Sequence, residues 1–340
     1  MMSDLLRYEL AQGLVENRRI RTLSSGGRRS LGCWEVQDLE GKKRIIKISR
    51  LDQDVLAINQ RLISRTIVHS SRYYSIPAIE QIRIDASTIL ASYEYVPHQS
   101  FKWEDLRSLS QGKKLALAVA DFNTRNNGEE ALAYLPQKRF RFALTQSRLQ
   151  QIFPHESKDF CQRTTDKARQ LYATLLAKVS EYNCFENMGL AHNDLAPLNI
   201  GTTHHLMNGS EQLGIKRRED GAARGEESET QGISENKLLL LDLDNAVVAP
   251  LGTDLRFILF AVSRRTNRLE HLDRIAKSYH SLVTRRNLDT SLLAVKACAI
   301  LGYADAWLNL HRRARSVYDR ARLDRCLELC QSVLEQNMLP

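Results

Sequence analysis

The chain has 340 residues, 43% hydrophobic and 26% charged, with a formal net charge of +9 at pH 7. That balance fits a folded protein with a real core, built as one large domain or two ordinary ones. No apolar run reaches the roughly 18–20 residues of a membrane helix, and the first residues, MMSDLLRYELAQGL, lack the long apolar stretch of a secretory leader. A cytoplasmic protein with no integral membrane segment is therefore expected.

In chain order, residues 3–16 read as a short helix. Ile20–Leu23 reads as a strand, followed by the turn-forming SSGGRRSLG. CWEVQD alternates as a strand does, GKK turns, and RIIKIS is a third strand. Residues 51–70 carry Leu51, Val55, Ile58 and Leu62 at steps of three and four, the face of a helix. Two further strands are expected near Gln81–Ile84 and Thr88–Val96. Beyond Pro97 the pattern turns mainly helical, with helices over 111–126, 138–153 and 160–183. Then comes AHNDLAPLNI at 191–200, which Asn193 and Pro197 mark as loop.

Residues 208–236 hold eleven charged residues and five Gly in twenty-nine. Such a segment buries too little apolar area to offset its ordering entropy, so a disordered surface insertion is expected. KLLLLDLDNAVV follows as a buried strand ending in acids. Helices are expected over 254–263, 268–284, 290–311 and 314–336. Residues 263–330 contain fourteen Lys/Arg against seven acids, which leaves +7 there. No nucleic-acid motif accompanies that charge, so nucleic acid is not an expected partner and a solvated helix surface is the ordinary reading. The six Cys show no zinc-site spacing and are expected as free thiols, with Cys326 and Cys330 one helical turn apart in a core.

Carboxylates at a strand end, after a loop bearing His, Asp and Asn, suit phosphate and metal chemistry. Phosphoryl transfer needs a group to orient and deprotonate the attacking hydroxyl, oxygen ligands for Mg2+, and cations for the phosphates. Asp194 can take the hydroxyl proton. Asn199 and Asp242 can offer oxygens to one metal ion. Lys47, on the RIIKIS strand, can reach phosphate oxygens, and the loop 24–32 offers backbone N–H groups. Each residue alone has a plainer role: turn former, cap or strand-edge charge. Their order along the chain is what carries weight.

His192, Asp194 and Asn199 make H-x-D-x-x-x-x-N, and Asp242 and Asp244 make a D-x-D at the end of the next strand. With Gly26, Gly27 and Gly32 in the first turn, Lys47, SYEYVP at 92–97 and Gly252–Thr253–Asp254–Leu255, this resembles the protein-kinase-like superfamily, in its aminoglycoside phosphotransferase and choline kinase group. The resemblance implies an α+β, two-lobed fold, with a small antiparallel β-sheet N-lobe over 1–97 and a mainly helical C-lobe over 98–340. It implies ATP and Mg2+ as cofactors and a small-molecule alcohol as substrate. By that resemblance Asp194 is the catalytic base, and His192 organises its loop. Asn199, Asp242 and Asp244 form the metal group, the share of Asp244 being open between metal and substrate. Lys47, Gly26 and Gly27 meet the phosphates, and Glu94, Tyr95 and Val96 line the adenine. Asp254 is implied to bond the backbone amides of the catalytic loop.

Two departures stand out. Kinases of this superfamily place a Glu on the helix after the strand lysine, and this chain has no Glu between residues 41 and 79, where Asp52 and Asp54 are the only acids. D-L-D replaces D-F-G, which favours the small-molecule branch. A larger anionic acceptor, or a nucleotide-binding regulatory module without turnover, are the alternative readings.

Overall fold

The computed structural model describes residues 17–24, 30–38, 40–50, 67–84, 88–126, 135–202, 237–263, 269–308 and 320–335. The expected helix 3–16, most of the helix 51–70, Gly26 and Gly27, and the segment 208–236 lie outside these residues.

Strands β1 (Asn17–Ser24), β2 (Ser30–Asp38) and β3 (Lys43–Arg50) form a meander. Short β4 (Tyr74–Ser75) follows, then β5 (Ile79–Ile84) and β6 (Thr88–Glu94). The five-stranded sheet has the order β1-β2-β3-β6-β5 and is antiparallel throughout. Period-two alternation explains it. Trp34, Val36, Ile46, Ile48 and Leu90 pack as one buried face. On the other face Cys33 stands beside Lys47, and Lys47 beside Ala91. Gly32, expected in the first turn, lies inside β2 instead. A Cβ there would sit 2.3 Å from the Trp34 ring, so the glycine makes room for the indole on the same face.

Beyond Glu94 the chain crosses to β7 (Gln99–Ser100) and enters the helical part: α1 (Leu109–Arg125), α2 (Gln146–Ile152) and α3 (Lys158–Glu181). Strands β8 (Met188–Ala191), β9 (Ile200–Thr202), β10 (Leu238–Leu240) and β11 (Val247–Pro250) follow, then α4 (Arg256–Ser263), α5 (Leu269–Arg285), α6 (Leu292–Leu308) and α7 (Arg320–Glu335). A second sheet has the order β4-β10-β9-β7, and β8 pairs with β11. Helix α3 buries Cys161, Thr164, Thr165, Ala168, Tyr172, Leu175 and Val179, a stripe with helical spacing. Ser157 caps its N-terminus by accepting from the Phe160 N–H at 3.1 Å. Helix α1 is buried almost all round from Leu115 to Thr124 and lies at the centre of the core. Cys326 and Cys330 are core residues, as expected.

Two helix expectations are corrected. Of the stretch 138–153, only α2 is helical. The Lys138 N–H donates to the Val248 carbonyl at 2.7 Å, and the Val248 N–H donates to the Pro136 carbonyl at 3.0 Å, so this stretch runs extended beside β11. Its alternation is of period two: Lys138, Phe140 and Phe142 are partly buried, while Arg139 and Arg141 are exposed. Residues 67–70, the end of the expected helix 51–70, are not helical either. Asn126 Oδ1 takes the Val68 N–H at 2.8 Å, and Ser70 bridges Ser75.

Gly252 turns the chain into α4 with φ of +96°, and a Cβ there would lie 2.6 Å from the Val295 carbonyl oxygen. Gly252→Ala combines left-handed strain with a backbone clash. A loss of about 3 kcal/mol in unfolding free energy is expected from those two costs, measured by urea titration.

Candidate active site

The loop after β8 is fixed from beneath before it presents any side chain. Asp254, 1% exposed, accepts the N–H of His192 at 2.7 Å and the N–H of Asn193 at 2.9 Å. This is the contact expected of it. His192 is fully buried. Its Nε2 is 2.8 Å from the Leu241 carbonyl and its Nδ1 accepts the Asp194 N–H at 3.3 Å. A carbonyl can only accept, so Nε2 donates, and both ring nitrogens are engaged. The imidazole thus ties the loop after β8 to the end of β10, with both ring nitrogens occupied.

Asn193 adopts φ of +62°, a left-handed turn that Asn tolerates better than most residues. Beyond the turn, Asn245 Nδ2 donates to Asp194 Oδ2 at 3.0 Å. Burial raises the Asp194 carboxyl above the ordinary carboxylate range, and the charge of Asp242 adds to that. The Asn245 hydrogen bond and the Arg256 charge act the other way.

Asn199 closes the loop's short 3-10 turn. Its Nδ2 donates to the Asp194 carbonyl at 2.8 Å, which turns Oδ1 to the opposite side of the amide. Its own carbonyl accepts the Leu241 N–H at 2.9 Å, locking it to the β10 end. Asp242 follows β10 with φ of +61°, again left-handed. The pairing of β9 with β10 is what brings Asn199 and Asp242 together.

Lys47 reaches this place from the five-stranded sheet. Its Nζ is 2.5 Å from Asp242 Oδ1 and 2.6 Å from Asp244 Oδ2. Burial alone would depress its ammonium, but the two carboxylates outweigh it and hold the pKa above the ordinary lysine value. On the sheet face around Lys47 stand Cys33, Ile45, Ile89, Ala91 and Tyr93, with Glu35 and Ser49. Burial pushes the Cys33 thiol up to about 11, so it stays protonated, and burial likewise raises the Tyr93 phenol. Glu94, Tyr95 and Val96 lead out of β6 toward β7 and so connect the two sheets. The Val96 carbonyl is bonded by His98 Nδ1 at 2.8 Å, and the Lys43 ammonium stands 5.0 Å from the Tyr95 ring centroid.

The structure therefore brings together Lys47, His192, Asp194, Asn199, Asp242 and Asp244. Among the described residues no group of three or more His, Cys, Asp or Glu converges as a metal cluster. Two carboxylates, Asp242 and Asp244, meet at Lys47, and carboxylate oxygens are hard ligands of the kind Mg2+ takes with several waters. Asn199 Oδ1, left over by the bond from its Nδ2, is another oxygen of that kind. Sequence reasoning gave Asn193 only a loop-forming role and missed Asn245 and Arg256. The only signals for them were an Asn directly after D-x-D and a lone Arg opening the apolar run RFILFAV.

Solved structures share this architecture. A microcompartment-associated aminopropanol kinase aligns over 99% of this chain and 99% of its own, with a TM-score of 0.57 and 13% identity. A choline kinase from Cryptosporidium parvum Iowa II aligns over 95% of this chain and 91% of its own, with a TM-score of 0.58 and 12% identity. The chain has the protein-kinase-like fold of the aminoglycoside phosphotransferase and choline kinase group. A third structure with this fold, the GDP and kanamycin complex of APH(2")-IIia, aligns over 98% of this chain and 99% of its own, with a TM-score of 0.52 and 12% identity. No family model matches the sequence, and no curated protein matches it.

Proposed function

We propose that the chain is a small-molecule kinase, moving the γ-phosphoryl group of ATP to a hydroxyl of an amino alcohol, sugar or aminoglycoside-like acceptor. The observation that carries this is the meeting of Lys47, Asp194, Asn199 and Asp242 where the five-stranded sheet faces the helical part. Asp194 orients the acceptor hydroxyl and takes its proton as the oxygen forms a bond to the γ-phosphorus. The bond from that phosphorus to the bridging oxygen breaks, and its electron pair leaves with ADP. Lys47 meets the developing charge on the phosphates. Asn199 Oδ1 and Asp242 are the residues to hold Mg2+, which would supply charge neutralisation on the phosphate oxygens. The sheet face beside Lys47 and the crossing at Glu94, Tyr95 and Val96 give the adenine its place.

The missing helix Glu favoured a binding module. The Asp244 carboxylate beside Lys47 supplies the counter-charge such a Glu would give, which supports an active lysine. The complex of a same-fold neighbour with GDP and kanamycin supports nucleotide use and a small acceptor.

Calorimetry with Mg2+ and ATP tests the nucleotide half. Wild type is expected to bind, and Asp242→Asn to bind at least about tenfold more weakly, the size of effect expected for losing a charged metal ligand. Equal affinities would remove Asp242 from the metal site.

A further inference from the structure

Arg256 stands at the start of α4, 6% exposed, far along the chain from the residues it serves. Its Nη2 donates to the Asn193 carbonyl at 2.6 Å and to Asn193 Oδ1 at 2.7 Å. Asn193 Nδ2 in turn donates to the Asn245 carbonyl at 3.0 Å, and Asn245 Nδ2 holds Asp194 Oδ2. A continuous path of hydrogen bonds thus runs from the guanidinium to the carboxylate proposed as base. The peptide joining Asn193 to Asp194 is gripped on both edges, its carbonyl by Arg256 and its N–H by His192 Nδ1.

The arginine has little freedom of its own. Its guanidinium lies 4.8 Å from the Phe257 ring centroid, and a Cβ at Gly302 would come within 3.3 Å of its Cδ. The charges of Asp254, Asp305 and Asp194 act on it, and Asp305 also accepts from Lys138 at 3.0 Å and from the Tyr172 hydroxyl at 3.0 Å. Among the described residues, Arg256 Nε is buried without a hydrogen-bond partner. A buried cation with an unbonded donor is a poor choice for stability, where an apolar side chain of similar volume serves as well or better. The geometry accounts for its presence in another way.

We infer that Arg256 is a positioning residue for phosphoryl transfer: it locks the left-handed Asn193 turn, and with it the direction in which Asp194 faces the acceptor hydroxyl. This rests on the kinase reading above. Loss of the lock lets the Asn193–Asp194 peptide rotate. Misplacement of a reacting group by about 1 Å costs on the order of 10²-fold in rate.

The test compares Arg256→Met and Arg256→Lys with wild type in turnover, nucleotide binding and amide hydrogen exchange. Arg256→Met keeps the volume and removes the donors. Its kcat is expected to fall about 100-fold while the Kd for Mg2+ and ATP stays within about twofold. Arg256→Lys can bond one of the two Asn193 oxygens and is expected to recover about tenfold of that loss. Exchange of the Asp194 amide is expected to quicken in Arg256→Met, with the amides of β10 unchanged. Wild-type kcat and unaltered Asp194 exchange in Arg256→Met would overturn the inference. If Arg256→Met does not fold, Arg256→Lys decides: wild-type kcat, or a Kd that worsens as much as kcat falls, would overturn it. If wild type transfers no phosphoryl group, the kinase reading fails, while amide exchange still decides whether Arg256 holds the loop.

Discussion

Asp194→Ala is expected to lower kcat about 10³-fold, within the 10²–10⁴ range that a positioned base contributes. The loop should survive the change. Its N–H bond to His192 and its carbonyl bond to Asn199 are main-chain contacts that alanine keeps. Among the described residues, only the bond from Asn245 to Oδ2 disappears, worth about 1 kcal/mol of stability. Melting and nucleotide affinity should therefore stay close to wild type while turnover collapses. A variant with kcat within a factor of ten of wild type, and the same melting behaviour, would remove Asp194 from the chemistry.

Asp254→Ala is expected to damage both stability and activity. It leaves the N–H groups of His192 and Asn193 unbonded in a buried place. Each orphaned donor costs about 1–3 kcal/mol, and Arg256 loses a neighbouring negative charge. A total near 4 kcal/mol is expected on these magnitudes, with a loss of turnover comparable to that of Asp194→Ala, because the whole loop is then free to shift. Asp254→Asn keeps one acceptor oxygen and should fall between. Urea unfolding and kcat measured on the same preparations check both. An unchanged unfolding midpoint in Asp254→Ala would mean that the loop draws its shape from elsewhere. Placed beside the Arg256 variants, this pair separates what holds the loop together from what aims it.

The parts of this molecule that follow local rules were legible. Lys47 sits on a strand whose alternation puts Ile46 and Ile48 on one face and the lysine on the other. The long stripe of α3 could be read from its steps of three and four. The spacing of His192, Asp194 and Asn199 marked the loop, because a short turn must carry all three to one place. Where two periodicities compete, the reading failed. Phe140 and Leu144, four residues apart, also suit a helix face, and the long-range bonds of Pro136 and Lys138 to Val248 decide for extended chain. Strands β8, β9 and β10 run to three or four residues, too short to show any period. The left-handed turns at Asn193 and Asp242 depend on what they close against. The Arg256 contact joins residues 63 apart, a distance no local pattern encodes.

Phosphorus-31 NMR of the full chain with Mg2+, ATP and a panel of amino alcohols, sugars and aminoglycosides tests the central claim most directly. The expected result is ADP together with a new phosphomonoester signal for at least one acceptor, lost in Asp194→Ala. Nucleotide binding with no phosphorylated product from any acceptor, or equal product from both proteins, would contradict it.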